Sequence, residues 1–284
     1  MAERWVTARD GVRLWADERG AGPAIVVPGA ALIGDDLTPL FERFRVITYD
    51  IRNRGRSDPV PYEGQVGLPI ELDDIDAIRE AFELATFSLI GWSYVGAIAA
   101  LYAARRPAGL QKVVMICPIP PRPFPPNARS VSYEKRYNEA VAALDMDRGG
   151  AEPADEQASV RIAKAYYDAT TPLAMGDPRS YHHRRSDPSS LPNEWPAHMT
   201  HALERVFATF GVESYDFRTP CTSVRNPVLI VHGDADRMPF EGSNEWVSSF
   251  PDVRLVRLPD VGHFPFVEAP DLLFPQVSAF LVKT

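Results

Sequence analysis

Short apolar runs recur along the chain at intervals that leave room for a helix between them. Ala24-Ile25-Val26-Val27 is such a run, and Arg45-Val46-Ile47-Thr48-Tyr49 is similar. Phe87 to Ile90, Val113 to Ile116, Val228 to Val231 and residues 253–258 follow. Runs this short, apolar on both sides, suit strands buried on both faces. Ahead of them, residues 3–8 and 12–18 read as two strands joined by an Asp10-Gly11 turn. Between the runs the period changes. From Gly67 to Leu84, Ile70, Leu72, Ile75, Ile78 and Phe82 recur at mostly helical spacing, and Val95 to Arg105 is small and apolar enough for a buried helix. Further helices are expected near 242–250 and from about 270 to 282. Strand and helix in alternation predict an α/β fold, with a mostly parallel central sheet and helices on both faces.

The alternation breaks after Cys117. Pro118 to Pro126 is proline-rich, and three helical-looking segments follow, roughly 130–147, 154–169 and 194–210. They are separated by Gly149-Gly150 and by the stretch from Pro178 to Pro192. The chain therefore divides into a core, 1–117 and 223–284, and a helical cap or lid inserted between them, 118–222. No internal repeat is visible.

Composition narrows the function classes. The 284 residues are 45% hydrophobic and 24% charged, enough to bury a sizeable core. A net charge of −8 makes nucleic acid and anionic membranes poor partners. The N-terminal residues carry no leader pattern and no run is long enough to span a bilayer, so a soluble, cytoplasmic protein is expected. The two cysteines, Cys117 and Cys221, belong to no metal-binding pattern. A reduced compartment suits them, with a disulfide between them left open.

The chemistry gathers where strands end. In open α/β sheets ligands bind beyond the carboxyl ends of the strands. Ser93, in Gly91-Trp92-Ser93-Tyr94, follows the strand 87–90 and precedes the helix. A serine at such a strand-turn-helix reversal projects its hydroxyl from the sheet, the arrangement known as a nucleophile elbow. A neutral hydroxyl needs a base, and the base needs an orienting carboxylate. His263 follows the strand 253–258. Asp234 and Asp236 follow 228–231 and compete for the carboxylate. The chain order is Ser, Asp, His.

Gly91-Trp92-Ser93-Tyr94, Gly233-Asp234-Ala235-Asp236, Gly262-His263-Phe264-Pro265 and the run Tyr49 to Ser57 together resemble the α/β-hydrolase superfamily. More narrowly, they are similar to its proline-iminopeptidase-like serine hydrolase branch. The resemblance covers nearly all of 1–117 and 223–284. It implies that Ser93 is the nucleophile, His263 the general base and acid, and Asp236 the orienting acid. It implies backbone oxyanion donors at Ala30 and Tyr94, with Pro28-Gly29-Ala30 standing where the family usually has His-Gly-X. Trp92 and Glu204 become candidate substrate-binding residues, Glu204 by analogy with the lid glutamate that holds a free amine in iminopeptidases. No metal or cofactor is implied. The sequence departs from the family pattern at Val95, where G-x-S-x-G has its last glycine, and at Pro28.

The first expectation is a serine hydrolase of small carboxylic esters working through an acyl-serine. A proline-iminopeptidase-type aminopeptidase or amidase comes second, a carbon–carbon bond hydrolase third. The rival of another class is a non-catalytic binding protein on the same fold. For the other polar residues structural roles are expected: Asp234 bracing its loop, His232 at a strand end, His182 and His183 solvated, Cys117 in the core, and Asp50, Arg52 and Arg54 as one loop-bracing ion-pair network.

Overall fold

The computed structural model describes residues 2–60, 63–144, 155–194, 204–205, 207–208 and 214–282. Eight strands form one sheet in the order β1-β2-β4-β3-β5-β6-β7-β8. They are β1 Ala2–Thr7, β2 Arg13–Arg19, β3 Ala24–Pro28, β4 Arg45–Tyr49, β5 Phe87–Trp92, β6 Leu110–Ile116, β7 Val228–Gly233 and β8 Val253–Leu258. The first two pair antiparallel, as do β2 and β4, and every later pairing is parallel. Asp10 and Gly11 make the predicted turn. Asp10 Oδ1 accepts the Val12 N–H, and Gly11 takes φ 88°, a conformation open to a residue without Cβ.

Alternation along the strands builds two apolar layers. Val26, Leu89, Val113, Met115, Val228 and Ile230 face one layer. There they meet α2 Leu68–Ala81 and α3 Tyr94–Ala104, which follow the short α1 Ala30–Ile33. Ile25, Val27, Ile90, Val114, Leu229 and Val231 face the other layer, which holds Ile33, Leu37 and the C-terminal helix Pro270–Val282. Helix α3 is buried from Tyr94 to Ala103. Its alanines let it lie close on β5 and β6, which is why its sequence carries almost no polar face.

Between β6 and β7 the described residues hold no strand. Helix α4 Ala128–Ala143 starts on Asn127, whose side chain accepts the Ser130 N–H. Helix α5 Glu156–Thr170 starts on Asp155, which accepts from Ala158 N–H. The two meet through the Tyr137 and Tyr166 hydroxyls, 2.7 Å apart. The Pro178 to Pro192 stretch contains 3-10 turns at Pro178–His183 and Pro188–Ser190, each opened by an aspartate cap. Turns of three to six residues leave no period to detect. Most of the segment expected as a third helix, 194–210, lies outside the described residues; Glu204-Arg205 and Phe207-Ala208 are helical. Cys117 and Cys221 are separate buried thiols, and no described helix is long and apolar enough to cross a membrane.

The order of strands sets the place for chemistry. The chain leaves β3 toward β4 on one side and returns to β5 on the other. The carboxyl ends of β3 and β5, at Pro28 and Trp92, therefore flank the point where the sheet reverses its winding.

Glu71 of α2 is 3% exposed and its Oε1 has no hydrogen-bond partner among the described residues. Burial, with Asp74 adding to it, pushes its carboxyl up to about 8. An acid raised in the folded state keeps its proton while the unfolded chain gives it up, so stability falls as pH rises from about 4.5 to about 8. Glu71→Gln removes that dependence. Its melting temperature relative to the native protein should rise between pH 5 and pH 8 by at least about 2 °C, measured by calorimetry at both pH values.

Candidate active site

Ser93 is the residue between β5 and α3, and its backbone is held at φ 58°, ψ −128°. A side-chain-bearing residue in that region carries strain of roughly 1–3 kcal/mol. The surroundings fix it there: Ser93 N–H donates to Ile116 O, and Ser93 O accepts from Gly96 N–H and Ile119 N–H. The tightest contact of the reversal is at Gly91. A Cβ on Gly91 would stand 2.3 Å from the Val95 carbonyl oxygen, and one on Gly96 would stand 3.0 Å from Pro118 Cβ. Val95 is thus tolerated where the family pattern has glycine because Gly91 and Gly96 supply the close approach. The Val95 side chain is buried beside the cavity.

The strand ends bring the predicted side chains together. Ser93 Oγ is 3.0 Å from His263 Nε2, and His263 Nδ1 lies 2.9 Å and 3.0 Å from the two Asp236 oxygens. Asp236 is a pure acceptor when ionised, so Nδ1 carries the proton and Nε2 presents its lone pair to the serine hydroxyl. Both His263 and Asp236 are almost fully buried. Burial pushes the His263 imidazole below its ordinary 6.5, outweighing the pull of Asp236 in the other direction. Burial alone would raise Asp236, but His263 and the Met238 N–H hold it below its ordinary value. Asp234 instead braces the neighbouring loop, accepting the Asp260 N–H at 2.6 Å.

The loop carrying His263 is fastened by a residue that the sequence did not single out. Glu268 accepts from the Gly262 and Phe264 N–H groups on either side of His263, and from Gly176 N–H in the β6–β7 segment. The His263 N–H donates to Ala174 O, and Trp92 Nε1 donates to His263 O.

At the end of β3, Gly29 turns the chain at φ 94°. Asp50 Oδ1 takes the Ala31 N–H at 2.6 Å. The N–H groups of Ala30 and of Tyr94, each at the first position of a helix, have no partner among the described residues. Burial raises Asp50 to about 6 against the hydrogen bonds from Arg56 and Ala31.

The three polar residues expected to form one network have separate duties. Asp50 supports the Gly29–Ala31 turn and pairs with Arg56. Arg52 bridges Asp74 and Asp10. Arg54 forms a two-pronged pair with the buried Glu194, at 2.8 and 2.9 Å, and also lines the cavity. Glu194 collects Gly55 N–H and the Tyr167 hydroxyl as well. No periodicity marks such a residue, since its partners lie 27 to 140 positions away.

Ser93 and His263 open into a cavity of about 320 Å³, a size suited to a small molecule. Its wall is mostly apolar and aromatic, including Trp92, Phe264, Tyr133 and Tyr167. Trp92 also packs against His263, so it serves both the imidazole and the wall. Glu204 is exposed and is not among the lining residues. Cys117 Sγ comes within 4.8 Å of ligand atoms of Asp236 and His263. That group is a poor metal centre: both imidazole nitrogens are already hydrogen-bonded, and burial pushes the thiol well up, away from the thiolate a metal needs.

The sequence matches the alpha/beta hydrolase fold family over residues 25–270. Polyketide synthase ThaQ of Burkholderia thailandensis is 29% identical over 93% of this chain, which spans only 12% of that protein's length. A pimeloyl-(acyl-carrier protein) methyl ester esterase of Aromatoleum aromaticum is 27% identical over 77% of this chain and 83% of its own. Among solved structures, an alpha/beta fold family hydrolase from Bacillus anthracis str. Sterne has a TM-score of 0.74 at 16% identity, covering 98% of each chain.

Removing one member of a buried ion pair strands the other. Arg54→Met should destabilise the protein by about 3–5 kcal/mol. The double variant Arg54→Met/Glu194→Leu should recover much of that loss, as read from urea unfolding of both.

Proposed function

The chain belongs to the alpha/beta hydrolase fold family, and from that we propose that it is a serine hydrolase of small carboxylic esters. The observation that carries the reading is the unbroken hydrogen-bonded chain from Ser93 Oγ through His263 to Asp236, opening into an apolar cavity.

In this reading His263 Nε2 takes the Ser93 proton as Oγ attacks the ester carbonyl. The negative charge that develops on the carbonyl oxygen is received by the unpartnered N–H groups of Ala30 and Tyr94. Each such donor contributes on the order of 10²–10³ in rate. His263 then gives its proton to the departing alcohol, leaving an acyl-Ser93. Water enters, loses a proton to the same nitrogen and attacks the acyl carbon. That second tetrahedral species breaks its bond to Oγ, which takes the proton back from His263 Nε2, releasing the acid and restoring Ser93 and the neutral imidazole. Asp236 keeps the imidazole in the tautomer that both halves require. From the segment expected as the cap, Tyr133, Tyr137, Tyr166 and Tyr167 line the cavity and so set the selectivity for the acyl or alcohol group.

The esterase named among the relatives supports ester over amide. An iminopeptidase-type reading needs an acid in the cavity to hold a substrate amine, and Glu204 does not line it. A binding protein without chemistry has no use for a buried His263 poised at 3.0 Å from a strained serine.

A fluorophosphonate probe should label the native protein and fail to label Ser93→Ala, and hydrolysis of p-nitrophenyl esters should fall on the order of 10⁶-fold in that variant. Folded native protein that neither labels nor turns over esters would refute the proposal. The base works only when neutral, and its imidazole is held low. The acidic limb of kcat/KM should therefore lie below pH 6.5, with activity lost as pH falls through it.

A further inference from the structure

Three guanidinium groups, those of Arg54, Arg184 and Arg237, reach the wall of the cavity beside Ser93. Glu194 neutralises Arg54. The other two have no carboxylate partner among the described residues. Arg184 donates one Nη2 hydrogen to Leu32 O at 3.0 Å and lies over the rings of Tyr167 and Phe264. Arg237 lies over Tyr133, 4.7 Å from its centroid. In each the Nε atom is buried and has no acceptor among the described residues.

This is an unusual disposition in a chain with 38 acidic and 30 basic residues, where acid is available to pair with. A charged N–H taken from water without an acceptor is unfavourable unless something arrives to accept from it. The aromatic faces hold the two groups in place and compensate part of their charge, but they occupy none of the in-plane N–H donors, of which Leu32 O takes one from Arg184. Arg237 also borders a neighbouring hollow of about 240 Å³ lined by Arg129 and Arg136 and, among the described residues, by no carboxylate side chain. Arginine side chains therefore continue outward from the cavity wall, and together they would draw an anion inward.

We propose that Arg184 and Arg237 form an anion subsite, and that the substrate is an ester bearing a second, ionised oxyacid group, a carboxylate or a phosphate. A planar guanidinium fork binds either kind of oxyanion. The simplest member of the class is the half-ester of a dicarboxylic acid. The inference rests on the ester-hydrolase reading for its chemistry and on the two unpaired arginines for its charge.

Three methyl esters of matched length test it: a dicarboxylate half-ester, an ester ending in phosphonate, and an uncharged alkyl ester. The native protein should prefer an anionic ester by about tenfold or more in kcat/KM, mainly through KM. Which anionic ester is preferred tells carboxylate from phosphate. The anionic-to-neutral ratio should fall toward one in Arg184→Gln and in Arg237→Gln, and Arg184→Lys should retain part of it. A native ratio of one or below, or a ratio unchanged in both glutamine variants, overturns the subsite. Binding supplies a readout independent of turnover. Calorimetric titration of Ser93→Ala with the preferred anionic ester should show binding that weakens about tenfold or more when Arg184→Gln and Arg237→Gln are added. Binding to Ser93→Ala with no turnover of any ester by the native protein would leave the subsite standing and remove the esterase reading. Turnover without charge preference would do the reverse.

Discussion

The whole site depends on a chain reversal completed at one residue. Strand β5 enters Ser93 and helix α3 leaves it, so the backbone there occupies a conformation that ordinary side chains avoid. It stays there because the strand and the helix can come close enough to lock it. Gly91 lies against the Val95 carbonyl, Gly96 against Pro118, and the Ser93 peptide groups are bonded to Ile116 and Ile119. The strain is thus held by neighbours on both sides. The proposed nucleophile is positioned by backbone geometry before any side chain contributes.

Much of this was legible in the sequence because it rests on local patterns. The sheet and its helices follow from runs and periods, and the α/β-hydrolase fold that the motif resemblance implied is the one observed. The elbow could be read from Gly91-Trp92-Ser93 between an apolar run and an alanine-rich helix. β5 proved longer than its apolar run, because Gly91 and Trp92 still pair with Met115 and Ile116. Hydrophobicity cannot register pairing by a glycine. What escaped was long-range and polar. Glu194 meets Arg54 across 140 positions, Glu268 braces His263 through backbone amides, and Arg184 and Arg237 reach the cavity from distant segments. None of these has a period or a motif. Arg54 was expected only to brace its loop, and its second duty at the cavity wall became visible only with the fold.

Charge is handled differently on the two sides of the site. Buried ions away from the cavity and at one place on its wall are closed into pairs: Arg52 with Asp74 and Asp10, and the wall residue Arg54 with Glu194. Such pairs add little net stability over apolar packing, but they fix which segments lie together. On the open side Arg184 and Arg237 have no carboxylate partner among the described residues and line the cavity. Arginines with carboxylate partners thus give way, at the chamber, to arginines without one among the described residues, which is the distribution expected where recognition is electrostatic.

Glu268 joins two parts of the molecule that differ in their tolerance of change. Its carboxylate holds the loop of His263, and it also holds Gly176, beside the Ala174 whose carbonyl receives the His263 N–H. The wall segment 174–176 is therefore riveted to the imidazole, while Tyr137 and Tyr166 stand on α4 and α5, to which the Glu268 carboxylate makes none of these bonds. Diversification of the chamber is free to proceed through those helical tyrosines, whereas the 174–176 stretch is bound to the geometry of proton transfer. Evolution and protein engineering alike are thereby steered toward one half of the wall.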